Sequence, residues 1–138
     1  MSTIVLGVIG SDAHVVGITI IEHALKDAGY TVENIGVQSS QEDFIAAANR
    51  VNADAILVSS LYGHAEQDCE GFCEQVDRTI YIGGNLAVGQ EPFEITKRRF
   101  REMGFDRVFD SSTDVEEILS ALSEDLTSTE DEQVKHSV

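Results

Sequence analysis

Residues 3–29 read Thr-Ile-Val-Leu-Gly-Val-Ile-Gly-Ser-Asp-Ala-His-Val-Val-Gly-Ile-Thr-Ile-Ile-Glu-His-Ala-Leu-Lys-Asp-Ala-Gly. Thr3 to Gly10 is a nearly continuous apolar run, which predicts a strand covered on both faces. Val16 to Ala28 then puts Ile18, Ile21, Leu25 and Ala28 on one helical face, and Gly29 ends the helix. A buried strand followed at once by an amphipathic helix is the repeating unit of a parallel sheet, and the rest of the chain continues it.

Thr31 to Val37 predicts a second strand, and Ser39 with Glu42 a capping box. Phe44, Ala47, Ala48 and Val51 form the stripe of the helix that follows. Asp54 to Ser59 holds the third strand, and Glu66 to Val76 a third helix. Thr79 to Ile82 is the fourth strand, ending at Gly83 and Gly84. Pro92 stands where a helix can begin, and Phe93 to Met103 continues it. Arg107 to Phe109 is a short fifth strand. Thr113 and Glu116 form a second capping box before Val115, Ile118, Leu119 and Leu122. Five strands alternating with five helices predict an α/β, flavodoxin-like, doubly wound five-stranded parallel sheet of order 2-1-3-4-5 with right-handed crossovers. Residues 1–122 are expected to form the domain. Residues 123–138 turn polar and acidic and are expected to be a disordered tail.

Composition narrows the function. The 138 residues suffice for one domain, and 42% are hydrophobic, as in ordinary globular chains. No apolar run approaches the roughly 18 residues of a membrane helix. No basic residue precedes the first strand, so a secretory leader is not expected and the protein is placed in the cytoplasm. Twenty-five Asp and Glu oppose nine Lys and Arg, for a formal net charge of −16, and such a chain repels nucleic acid phosphates. The acids are dispersed and only Lys26, Lys97 and Lys135 are lysines, which suits a cytoplasm of very high salt. Cys69 and Cys73, four apart, read as buried reduced thiols beside Phe72 and Val76 and not as a metal pair.

In this architecture ligands bind beyond the carboxyl ends of the strands, between the first and third. The loops at Gly10, Ser59 and Gly83 are therefore the informative ones. The first contains Ser11, Asp12, Ala13, His14, Val15 and Gly17. An Asp can fix the tautomer of a nearby imidazole and leave its other nitrogen free for a metal or a proton; Asp12 can equally cap the helix, leaving His14 a solvated loop residue. Gly17 removes a side chain where a bulky ligand would approach the backbone. In the second loop, Ser59 and Ser60 can cap the sheet or bond a ligand. His64 there reads as exposed, and His23 within its helix as partly packed. In the third, Gly83 and Gly84 make a turn or let a flat ligand lie on bare backbone, with Asn85, Leu86 and Ala87 next in line.

Asp12-x-His14-x-x-Gly17, then Ser59-x-Leu61, then Gly83-Gly84, in that order and at those strand ends, resembles the signature of the cobalamin-dependent mutases. Residues 3–12, 34–37, 39–45, 58–63 and 103–109 are similar to the small subunits of glutamate mutase (methylaspartate mutase) in particular. The segment between Val76 and Ile80 is shorter than expected for them. The resemblance implies that adenosylcobalamin is the cofactor and that His14 replaces its benzimidazole on cobalt, with Asp12 behind it. It implies that the displaced nucleotide tail lies in a slot through the three loops, near Ser11, Ala13, Val15, Gly17, Ser59, Ser60, Leu61, Gly83, Gly84, Asn85, Leu86 and Ala87. The implied reaction is the adenosyl-radical interconversion of L-glutamate and threo-3-methyl-L-aspartate.

In these 138 residues a second domain to hold the substrate is not expected, and there is no evident Arg cluster at the ligand loops for two carboxylates. The family implies a separate large, substrate-binding subunit, in a heterotetramer of two small and two large chains. Alone, the chain is expected to bind cobalamin and catalyse nothing. A corrinoid carrier for methyl transfer is the nearest rival, although such carriers usually have a helical domain before this one. A response-regulator receiver needs an Asp after the third strand, where this chain has Ser59-Ser60-Leu61. A flavodoxin phosphate loop would not include Asp12.

Overall fold

The computed structural model describes residues 2–10, 16–60, 65–86 and 90–136, the side chains of Val16 and of residues 127–136 excepted. Strands β1 (Thr3–Ile9), β2 (Thr31–Ser39), β3 (Ala55–Ser60), β4 (Thr79–Gly84) and β5 (Arg107–Asp110) form one parallel sheet in the order β2-β1-β3-β4-β5. This is the predicted flavodoxin-like arrangement. Helices α1 (Val16–Asp27) and α5 (Val115–His136) cover one face; α2 (Gln41–Val51), the short α3 (Ala65–Asp68) and α4 (Phe93–Met103) cover the other.

The strands alternate between two cores, as a two-residue period requires. Ile4, Leu6, Leu57 and Tyr81 pack with Ile18 and Leu25 of α1 and with Ala121, Leu122 and Leu126 of α5. Val5, Ile56, Ile80 and Ile82 pack with Phe44, Phe72 and Phe100 on the far side. The Phe44 and Phe72 rings lie 5.7 Å apart, and cutting either back to Ala would cost about 3–5 kcal/mol.

Four expectations change. The third helix ends at Asp68, because Gly71 takes φ 74 and turns the chain into a 3₁₀ turn at Cys73–Gln75. Its apolar side chains still reach the core: Cys69 and Phe72 are buried, and Cys73 and Val76 pack at the edge. Burial pushes the Cys73 thiol up to about 11 and Cys69 higher still, so both are neutral and free. The first capping box is Ser40 with Asp43, one residue later than predicted, because Ser39 is the buried last residue of β2. At α5 the Asp114 carboxylate, not Thr113, takes the Glu116 N–H at 3.2 Å. His23 is exposed, not partly packed.

The last helix also runs beyond Leu122, where the sequence reading ended the domain. Leu126 is 8% exposed in the core, and Asp125 binds side chains of both β4 and β5. The packed domain therefore includes at least residues 123–126. Arg78, in the short segment before β4, donates to the carbonyls of Ala48 (3.0 Å) and Ala53 (2.7 Å) and to Asn49 Oδ1 (3.0 Å). It thereby adds a donor at the C-terminus of α2, where the helix dipole favours a cation. Among the described residues, no helix is long and apolar enough to cross a membrane.

Candidate functional site

A groove of about 420 Å³ opens on the α1–α5 face at the carboxyl ends of the strands. Ser59, Gly83 and Phe109 form its floor, in a row that ends at the buried Val8. Val8 pairs with Ser59, Ser59 with Gly83, and Gly83 with Phe109. Two residues back along each strand, Leu6, Leu57 and Tyr81 continue the same face. Ile20 and Ile21 of α1 form one wall and Ile118 of α5 the other. Ile20 is 56% exposed, an apolar side chain left to water beside an apolar groove.

Gly83 gives the floor its depth. A Cβ there would meet only Phe109, its Cβ at 3.5 Å and its carbonyl oxygen at 3.7 Å, which is ordinary contact. The backbone does not need glycine at this position; the groove does. Gly84 differs, since its φ of 123 excludes most side chains.

Two polar clusters border the groove. Asp110 Oδ1 accepts from Ser112 N (3.1 Å), Ser112 Oγ (2.8 Å) and Thr113 Oγ1 (3.0 Å). These bonds, the Ser112 hydroxyl foremost, hold its carboxyl below the usual range. Beside the groove, on the same face of the sheet, Tyr81 donates its hydroxyl hydrogen to Asp125 of α5. Arg107 grips the same carboxylate in a fork, Nε to Oδ2 and Nη2 to Oδ1, both 3.0 Å. The fork foremost lowers the Asp125 pKa, while burial, then Asp125, raises that of Tyr81.

Of the residues predicted from sequence, Gly17, Ser59, Gly83 and Gly84 meet at this groove. Ser60 and Leu86 do not. Ser60 points to the opposite face, fully buried, its Oγ without a hydrogen-bond partner among the described residues. Leu86 is buried in the core on the α2 side, and Asn85 is exposed away from the groove. Ser11, Asp12, Ala13, His14, Val15, Leu61, His64 and Ala87 lie outside the described residues. Sequence reasoning missed Ile20, Tyr81, Phe109, Asp110 and Ile118. Tyr81 was within reach, since it stands two residues before Gly83 on a strand and so shares its face.

The B12 binding domain family matches residues 2–120. The chain is 63% identical, over 91% of its length and 88% of the relative's, to glutamate mutase sigma subunit 2 of Haloarcula marismortui. It is 56% identical to the glutamate mutase sigma subunit of Halobacterium salinarum, over 90% and 87%. In fold it is similar to a cobalamin-binding protein from Desulfitobacterium hafniense, with TM-score 0.71 at 20% identity. That match takes in 89% of this chain and 58% of the longer one. The acidic composition, the parallel sheet with its groove at the switch point and these similarities agree: the chain belongs to the glutamate mutase sigma subunits, built on a B12 binding domain.

Proposed function

We propose that the chain binds adenosylcobalamin, that His14 would supply a nitrogen ligand to cobalt, and that the cofactor's nucleotide tail would lie in the groove between α1 and α5. The observation that carries this reading is the Ser59–Gly83–Phe109 row, a floor with one hydroxyl and one missing side chain. A flat aromatic base fits such a floor. Ser59 would donate to a ring nitrogen. Gly83 gives the base depth, and Ile20 and Ile118 cover it and exclude water. Asp12 would hold one imidazole nitrogen of His14 and leave the other for the metal.

When bound, the cofactor supplies a cobalt–carbon bond that breaks homolytically and so the radical that rearranges the substrate carbon skeleton. This chain's part is to grip, orient and shield. The substrate site belongs to a large partner subunit, in a heterotetramer of two small and two large chains. With that partner, the assembly interconverts L-glutamate and threo-3-methyl-L-aspartate; without it, the chain binds cofactor and turns over nothing.

Electron paramagnetic resonance of the chain loaded with cob(II)alamin tests the ligand, using nitrogen-15 in the benzimidazole. The expected spectrum ignores the label, and its nitrogen splitting vanishes in His14→Gly. A splitting that follows the label would reject His14. Mixing experiments test the assembly: methylaspartate formed by the small chain alone would reject the division of labour.

A further inference from the structure

Taking the groove as the seat of the nucleotide tail, we infer that Tyr81, Asp125 and Arg107 are positioning residues that set the groove's width before any ligand enters. Tyr81 belongs to both the floor and the tie. Its ring, 2% exposed, lies in the floor and stands edge-on to Phe109 at 5.7 Å. Its hydroxyl donates to Asp125 on α5. Arg107, the first residue of β5, forks onto the same carboxylate and also reaches Glu124 Oε2 at 3.1 Å. One carboxylate therefore joins β4, β5 and α5.

Apolar packing alone does not set the width. Ala121, Leu122 and Leu126 seat the middle of α5 on the sheet, but such contacts are non-directional. Toward the strand ends, α5 stands beside the groove itself, where among the described residues Ile118 faces open space and not packed side chains. Ile118, the wall residue there, lies seven residues from Asp125, roughly 10 Å along the helix axis. A planar guanidinium fork fixes direction as well as distance. Held at Asp125, α5 cannot roll or tilt without breaking the fork or the tyrosine bond, so Ile118 stays at one height above Ser59 and Gly83. The groove is pre-formed, and the cofactor is spared the entropy of ordering it.

The test is visible-spectrum titration of the full chain with adenosylcobalamin. Asp125→Asn keeps the size but loses the charge, and binding should weaken about tenfold. Tyr81→Phe keeps the ring floor and removes only the tie; binding should weaken severalfold with a near-native melting temperature. Arg78→Ala, which loosens α2 on the far face, should lower the melting temperature without changing affinity. Hydrogen exchange over residues 115–122 should quicken in the first two variants without cofactor and return to the wild-type rate at saturation. Wild-type affinity in both Tyr81→Phe and Asp125→Asn would overturn the inference, as would an equal loss of affinity in Arg78→Ala. Failure of the wild-type chain to bind adenosylcobalamin would instead reject the functional reading beneath it.

Discussion

Gly83 separates folding from binding in a single residue. Alanine there places its methyl 3.5 Å from Phe109 Cβ, an ordinary van der Waals distance, and Gly83 is not among the residues of positive φ. The folded state accepts the methyl, while the unfolded chain loses freedom, so Gly83→Ala should stabilise by about 0.4–1 kcal/mol. The same methyl points into the groove beside Ser59 and raises the floor under the proposed tail. Forcing a ligand over it is overpacking, which costs about 1–3 kcal/mol. At 1.4 kcal/mol per decade, adenosylcobalamin should bind about 5- to 150-fold more weakly. Gly83→Leu should abolish binding and leave the fold. Thermal melts and visible-spectrum titrations of both variants decide the matter. Unchanged affinity in Gly83→Ala would show that no ligand rests on this floor; a melting temperature lowered by several degrees would show that the space above Gly83 has been misjudged.

Arg78→Ala strips three hydrogen bonds from the end of α2 and should cost about 2–3 kcal/mol in urea unfolding; a loss under about 0.5 kcal/mol would contradict the capping role. A chain ending after Leu126 should melt and bind cofactor like the full chain, whereas one ending after Leu122 loses Asp125 and Leu126 and should be at least about 2 kcal/mol less stable. With a net charge of −16, the melting temperature should rise from about 0.1 M to above 1 M salt; a flat response would reject adaptation to high salt. The Asp125 carboxyl is held below its usual value, chiefly by Arg107, so its stabilisation is present above pH about 4 and is lost as pH falls through the lowered value. Acid unfolding followed by circular dichroism should therefore be less steep in Asp125→Asn than in the wild type, and identical curves would refute the linkage.

How much of this was legible in the sequence follows the range of the interactions. The strands and helices were legible because their signals are local: the apolar run of β1, the stripe of α2, Pro92 ahead of α4. Helix ends were less so. Ser39 and Ser40 are equally good caps by type, and what decides between them is that Ser39 is buried at the end of β2, a tertiary fact. Cys69, Phe72, Cys73 and Val76 share a buried side as their spacing says, yet Gly71 breaks the helix that the spacing implies. The groove is harder, because orientation on a strand buried on both faces leaves no polar–apolar alternation to read. Ser59 and Ser60 are adjacent and chemically identical; one lines the groove and the other is sealed beneath the opposite helices. Only the register of four strands tells them apart. The tie from the floor to α5 lies further out of reach, since Tyr81 and Asp125 are 44 residues apart and Asp125 stands in a stretch that composition alone assigns to a tail. A residue on such a stretch gains meaning only when a partner elsewhere needs its charge. Arg107 and the Tyr81 hydroxyl are those partners, and through Tyr81 they tie an acidic residue of the last helix to the floor of the groove.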